Sequence, residues 1–210
     1  MLFSAWGGSS FNTFELYFLN TANGNGLQVY QWNGSSYDAT HVTSNKFRDV
    51  AAWYHIVMAV DTEQSDQANR MRLWVNNQEV SFSTNTQFSQ NTNTYVNTTQ
   101  VHRIGNSSYD TTTNRFDGYM AEVYFLDGQY LAPTDFGRFN ENGVWVPKKY
   151  TGTYGTNGFH LTFDSSQTNG IGHDSSGNGN HFTATGFDTA DVRQYSSGLF
   201  TVSDDPSQSN

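Results

Sequence analysis

Apolar residues recur at every second position in short runs, and polar stretches rich in Asn, Gly, Ser and Thr separate the runs. Period two is the signature of strands, because successive side chains leave the backbone on opposite faces. Phe14 to Leu19 (FELYFL) and Gly26 to Trp32 (GLQVYQW) are predicted as one pair. The NTANGN between them holds Asn-Gly pairs that accept the positive φ of a hairpin turn. Asn33-Gly34-Ser35-Ser36 ends the second strand, and a turn around Asp49 follows Lys46 to Arg48. Trp53 to Asp61 (WYHIVMAVD) is the next strand; from His55 to Val60 both faces are apolar, which predicts a central position. Arg70 to Val80 (RMRLWVNNQEV) reads as two strands turned at Asn76-Asn77. Further on, Tyr119 to Leu126 is expected as one long strand, followed by an Asp127-Gly128 turn, a short strand and a helical turn opened by Pro133. Phe159 to Asp164 is another strand. Thr84 to Thr99, rich in Asn, Thr and Gln, reads as a solvated connection, and no segment carries a firm helical period.

Composition narrows the class. Two hundred and ten residues suit one large β domain, and 16% aromatic residues supply its core. Only 14% of residues are charged, so Asn, Ser, Thr and Gln must wet the surface, as in extracellular and virion β proteins. A net charge of −9 with ten scattered Lys and Arg argues against a nucleic-acid partner, whose phosphates need clustered cations. With no cysteine there is neither a disulfide frame nor a thiolate site. No run approaches the roughly 18 apolar residues of a membrane span, so membrane insertion is not expected. The start, MLFSAWGGSS, lacks the basic and apolar regions of a signal peptide.

Four segments together carry a resemblance: WYHIVMAVD, RMRLWVNNQEV, Ile104-Gly105, and FDGYMAEVYFLDG from Phe116 to Gly128. Over roughly Phe47 to Phe182 the chain resembles the concanavalin A-like lectin/glucanase superfamily in its laminin G-like branch, most of all the form found in structural and fibre proteins of marine tailed phages. The implied fold is all-β, an antiparallel jelly-roll sandwich, as one domain over residues 1–202 with a polar tail at 203–210. Within it, residues 143–158 (GVWVPKKYTGTYGTNG) are expected as an extended connecting arm anchored by Trp145, Tyr150 and Tyr154, and residues 159–187 as C-terminal strands. In such domains a strand ending F-x-D followed by DSSGNGNH usually opens the fold, whereas here it comes near the end. Phe159 to Phe163 and His181 to Thr185 are therefore expected to fill sheet positions usually taken by an N-terminal strand; the rival reading is that upstream residues or a neighbouring subunit supply it.

Candidate chemistry follows from this resemblance. Glycosidases of the superfamily use carboxylates spaced E-x-D-x-x-E on one strand, and none of Glu15, Glu63, Glu79, Glu122 and Glu141 has such partners. A non-enzymatic role is implied, with Glu122 read as a structural carboxylate. The six histidines show no helical metal spacing. Laminin G-like domains commonly bind Ca²⁺ through Asp and Asn oxygens, which makes Asp164, Asp174, Asn178 and Asn180 the candidate ligands, although DSSGNGN reads first as a plain turn. For carbohydrate, aromatic residues in or beside polar loops are the candidates: Trp32 with Tyr37, and Trp6, with Tyr109 and Trp145 as further loop aromatics. The resulting expectation is a non-enzymatic virion protein (tail fibre, head fibre or capsid decoration), a homo-oligomer packed against other virion proteins and touching host-surface glycan. The alternative is a stand-alone secreted calcium-dependent lectin or carbohydrate-binding module.

Overall fold

A computed structural model describes residues 1–9, 11–187, 191–194 and 200–203. Among these residues there is no α-helix; four 3-10 turns accompany sixteen strands. In chain order the strands are β1 (Phe3–Trp6), β2 (Thr13–Phe18), β3 (Leu27–Trp32), β4 (Tyr37–Thr43), β5 (Ile56–Val60), β6 (Met71–Val75), β7 (Gln78–Glu79) and β8 (Phe82–Thr86). They continue with β9 (His102–Ile104), β10 (Tyr119–Met120), β11 (Val123–Phe125), β12 (Gly137–Phe139), β13 (Trp145–Pro147), β14 (Phe159–Leu161), β15 (Val192–Gln194) and β16 (Phe200–Ser203). Contacts gather the chain, expected as one domain over 1–202, into two compact units: 1–115 with 130–151, and 116–129 with the described part of 152–210.

The first unit is a two-layer antiparallel sandwich. One layer is a six-stranded sheet in the order β8-β4-β3-β2-β1-β9; the other has the order β5-β6-β7. Alternation decides what lies between them. On β2, Phe14 and Leu16 face inward, as do Leu27 and Val29 on β3, and they join Met71, Leu73 and Val75 of β6 in one buried cluster. Ile56, Met58 and Val60 pair across from Val75, Leu73 and Met71, so β5 adds its apolar row to the same core. Burying each such side chain contributes about 1.5–3 kcal/mol. The Asn76-Asn77 turn forms as expected, both residues taking the positive φ (50° and 66°) that a tight hairpin requires.

Several expectations need correction. β5 is an edge of its sheet, with β6 in the centre, although its sequence is apolar on both faces. Trp53 and His55 precede that strand, and Trp53 is 53% exposed. β4 was not anticipated because its inward positions carry Ala39, His41 and Thr43, which weaken the alternation, and β8 because its residues after Phe82 are polar and exposed. The Thr84 to Thr99 stretch is only partly solvated. Its start pairs with β4, and Phe88 is fully buried. Gln31, on the inner face of β3, accepts from the Tyr95 N–H at 2.9 Å and donates to the Asn93 carbonyl at 3.2 Å. The 143–158 arm begins as a hairpin, since β13 pairs with β12. Trp145 lies over Gly137, where an added Cβ would come within 2.3 Å of the indole, and its Nε1 donates to His55 Nδ1 at 3.0 Å.

In the second unit, β14 pairs with β11, and β10, β16 and β15 form a three-stranded sheet. The expected single strand from Tyr119 to Leu126 is broken at Ala121-Glu122, where Glu122 adopts φ 54°. A left-handed conformation costs a non-glycine residue roughly 1–3 kcal/mol. Here it turns the carboxylate so that Oε2 accepts from Tyr124 Oη at 2.9 Å and meets His160 Nε2 at 2.7 Å. The His160 ring stacks on Tyr124 at 4.1 Å. Glu122 is thus held by a histidine and a tyrosine. His181 to Thr185 forms no strand, and among the described residues Phe159–Leu161 pairs with β11 and, by one bridge, with Asp174, so these segments do not fill a position in the six-stranded sheet. The expected tail lies, after Ser203, outside the described residues.

Two predictions follow from buried polar groups. His41 is fully buried, with Nδ1 on Asn85 Oδ1 at 2.9 Å and Nε2 without a partner, and burial holds its pKa down to about 4 from 6.5. As pH falls through that interval the unfolded chain takes up a proton that the folded state refuses, so stability falls by an amount on the order of 3 kcal/mol. His41→Gln is expected to reduce the fall in urea-unfolding free energy between pH 6.5 and 4, leaving losses of the same sign from His55 and His102, whose pKa values burial also lowers, and an opposite change from Glu15, whose pKa burial raises. Glu122→Ala keeps the strained backbone and loses both side-chain bonds. Its unfolding free energy should drop by about 1–3 kcal/mol, whereas a loss below about 0.5 kcal/mol would show the bonds to be incidental.

Candidate functional site

The outward face of the six-stranded sheet gathers aromatic side chains by register alone. Trp6 pairs with Thr13, Thr13 with Trp32, and Trp32 with Tyr37, so one row across four strands carries all three aromatic residues singled out in the sequence. Tyr37 joins this row because β4 has a bulge. Gln31 pairs with Ala39 and Trp32 with Tyr37, leaving Asp38 as the extra residue. The Asp38 carboxylate is fixed by Gln31 Nε2 at 2.9 Å and Asn33 Nδ2 at 2.7 Å. The neighbouring row runs Arg103, Ser4, Glu15, Tyr30, Thr40.

These rows and two loop residues enclose an open depression of ≈ 300 Å³ lined by Phe11, Thr13, Tyr30, Trp32, Tyr37 and Tyr109. Trp32 and Tyr37 meet edge to face at 4.8 Å, Tyr30 and Tyr37 at 5.6 Å, and Phe11 and Tyr109 at 5.9 Å. Phe11, Tyr37 and Tyr109 are 66%, 51% and 43% exposed, so the rim is wet and apolar at once. Trp6 is on the same sheet face but outside the lining; its Nε1 donates to the Ser9 carbonyl at 3.1 Å. Phe11, Tyr30 and Glu15 were missed from the sequence. The signal available was the alternation of Thr13, Glu15 and Tyr17 with the core residues of β2, whereas Phe11 and Tyr109 meet only through the tertiary fold.

Glu15 lies behind the depression, 3% exposed. Its carboxylate accepts from Tyr30 Oη at 2.6 Å and Ser107 Oγ at 2.8 Å. Burial raises its pKa, against the lowering effect of those hydrogen bonds. Burial, reinforced by the Glu15 charge, in turn raises the phenols of Tyr30 and Tyr17, the latter to about 12, so both remain protonated donors.

The residues considered for calcium are in the second unit. Asp174 Oδ1 accepts from the N–H groups of His160 and Ser176, and Oδ2 from Ser176 Oγ and the Asn180 N–H, all at 2.9 Å. Burial pushes this carboxyl up, but the N–H donors outweigh it and hold the pKa below the ordinary value. Asn178 and Asn180 donate through their amides to the carbonyls of Gly155, Gly158 and Thr156. Asp164 closes its own turn on Ser166 and Gln167, which lower its pKa. Among the described residues no three His, Asp or Glu side chains gather in a metal-binding group. The Asp164 contacts are those of turn closure, whereas Asp174, Asn178 and Asn180 tie their loop to residues 155–160.

Glu15 generates a pH test. Between the ordinary value of 4.5 and its raised one, the folded state keeps a proton that the unfolded chain has released. Stability therefore falls as pH rises through that window and stays lower above it. Glu15→Gln retains an acceptor for Tyr30 Oη and removes the titration. The free-energy difference between variant and parent, from urea unfolding at pH 4 to 7, should shift in favour of the variant as pH rises; a pH-independent difference would refute the assignment.

A laminin G-type family profile matches residues 1–133 and is described as the concanavalin A-like lectin/glucanases superfamily. Neither a search of curated proteins nor one of solved structures returned a match. Domains of this type are generally non-catalytic binding domains. The matched region spans β1 to β11 and so includes both layers of the sandwich and every residue lining the aromatic depression. With this antiparallel architecture and a match covering well over half of its length, the chain belongs to the concanavalin A-like lectin/glucanase superfamily.

Proposed function

We propose that this chain is a non-catalytic adhesion domain of a tailed-phage virion, as tail fibre, head fibre or capsid decoration, and that it holds host-surface glycan in the aromatic depression of its six-stranded sheet. The depression walled by Tyr30, Trp32, Tyr37 and Tyr109, with Thr13 in its lining, carries this reading. Carbohydrate is bound by apolar contact with the C–H faces of its rings together with a few polar groups that orient it. The virion setting rests on the resemblance of the WYHIVMAVD and FDGYMAEVYFLDG segments and on a surface of low charge rich in Asn, Ser and Thr. A single site of this size binds weakly, and display in many copies multiplies its strength by roughly 10²–10⁴.

The test is a glycan array probed with the full chain, its Trp32→Ala and Tyr37→Ala variants, and the parent in EDTA. Retention of glycan by the parent, at least tenfold weaker in each variant with thermal unfolding nearly unchanged, is expected; tenfold corresponds to about 1.4 kcal/mol. No retained glycan, or retention indifferent to both substitutions, refutes the site. Binding is expected to persist in EDTA, because the lining contains no carboxylate. Light scattering addresses the setting: a stable oligomer agrees with a virion component, whereas a monomer whose glycan binding is lost in EDTA favours the secreted calcium-dependent lectin.

A further inference from the structure

The walls of the depression do not form one flat platform. Its rings stand at steep angles to one another, 68° for Trp32 and Tyr37, 89° for Tyr30 and Tyr37, and 75° for Phe11 and Tyr109. Rings set in this way turn faces and edges around one small volume, which suits a rounded group. No Lys, Arg or His lines it. The carboxylate of Glu15 is outside the lining and bonded to Tyr30 Oη, so it polarises a wall ring without touching the contents. The chain as a whole carries −9, which also favours a cation.

We propose that the group taken into this depression is an alkylated ammonium ion of the choline type, carried on the glycan; the inference rests on the glycan reading of the same site. The faces of Trp and Tyr attract cations through their π quadrupoles, by about 0.5–2 kcal/mol per interaction. Among cations, a trimethylammonium suits these walls better than a primary ammonium. It has no N–H to satisfy, and the lining offers few hydrogen-bond acceptors beyond the Thr13 and tyrosine hydroxyls. Its methyl groups gain the apolar contact that a strongly hydrated ammonium would forfeit. Thr13 is buried, with Oγ1 engaged by the Ala5 carbonyl at 3.3 Å and Ser108 Oγ at 3.1 Å, so a phosphate ester or sugar linked to the cation would leave by the exposed rim of Phe11, Tyr37 and Tyr109.

The experiment is isothermal titration of the full chain with choline chloride and with 3,3-dimethylbutan-1-ol, the neutral isostere in which carbon replaces the ammonium nitrogen. Choline is expected to bind at least tenfold more tightly than the alcohol. Tyr37→Leu should weaken choline at least tenfold, and Glu15→Gln severalfold, with little change for the alcohol and thermal unfolding recorded for each variant. Equal affinity for the two probes, or no choline binding by a folded parent, overturns the proposal. If that happens while neutral glycans are still retained through Trp32, the ammonium inference falls and the glycan reading stands. If choline binds selectively, phosphocholine-bearing glycans and phosphatidylcholine vesicles identify the carrier; capture of vesicles alone upholds the ammonium site and refutes the glycan reading.

Discussion

The antiparallel register of the six-stranded sheet is the constraint on which the rest depends. With side chains alternating every residue, fixing one pair fixes two surfaces at once. The pairing of Ala5 with Phe14 and of Phe14 with Gln31 puts one set of residues into the core. The next pairing along, Trp6 with Thr13 and Thr13 with Trp32, lays the aromatic row on the opposite face. A slip of one residue would send Trp32 and Tyr30 inward and Leu27 and Val29 to solvent. The large apolar cost of that exchange guards the geometry of the outer face, although the outer face contributes little of that cost itself.

How much of this was legible in the sequence depended on where the alternation was strong. β2, β3 and β6 announce themselves through Phe14, Leu16, Val29 and Leu73, and the Asn76-Asn77 turn through residues that tolerate positive φ. β4 hid its strand behind an inner row of Ala39, His41 and Thr43, where polar side chains are buried by hydrogen bonds instead of by apolarity. Trp32 and Tyr37 were recognised as aromatics in or beside a polar loop, but their partners were not. Tyr109 reaches them from a distant loop, and Phe11 through a left-handed backbone (φ 63°), neither of which periodicity encodes. Residues 84–99 misled for a similar reason: one apolar anchor, Phe88, and one buried amide, Gln31, hold down a stretch whose composition reads as solvated.

Buried polar groups recur with a common logic. Glu15, Gln31 and Asp174 each collect several donors or acceptors from segments far apart in sequence, and so specify where loops dock instead of merely filling space. Glu122 shows the same logic acting on the backbone, where the bonds to His160 and Tyr124 offset a conformation that the chain would otherwise avoid.

The extra residue at Asp38 has a consequence for divergence. It shifts the face-to-face phase of β4 at one point, so Ala39, His41 and Thr43 keep their core positions while Tyr37 is delivered to the opposite surface. The aromatic outer face is thereby uncoupled from the packing that supports it. Substitutions among Phe11, Trp32, Tyr37 and Tyr109 reshape that face without touching an inner-row contact, which leaves the surface free to vary over a constant scaffold.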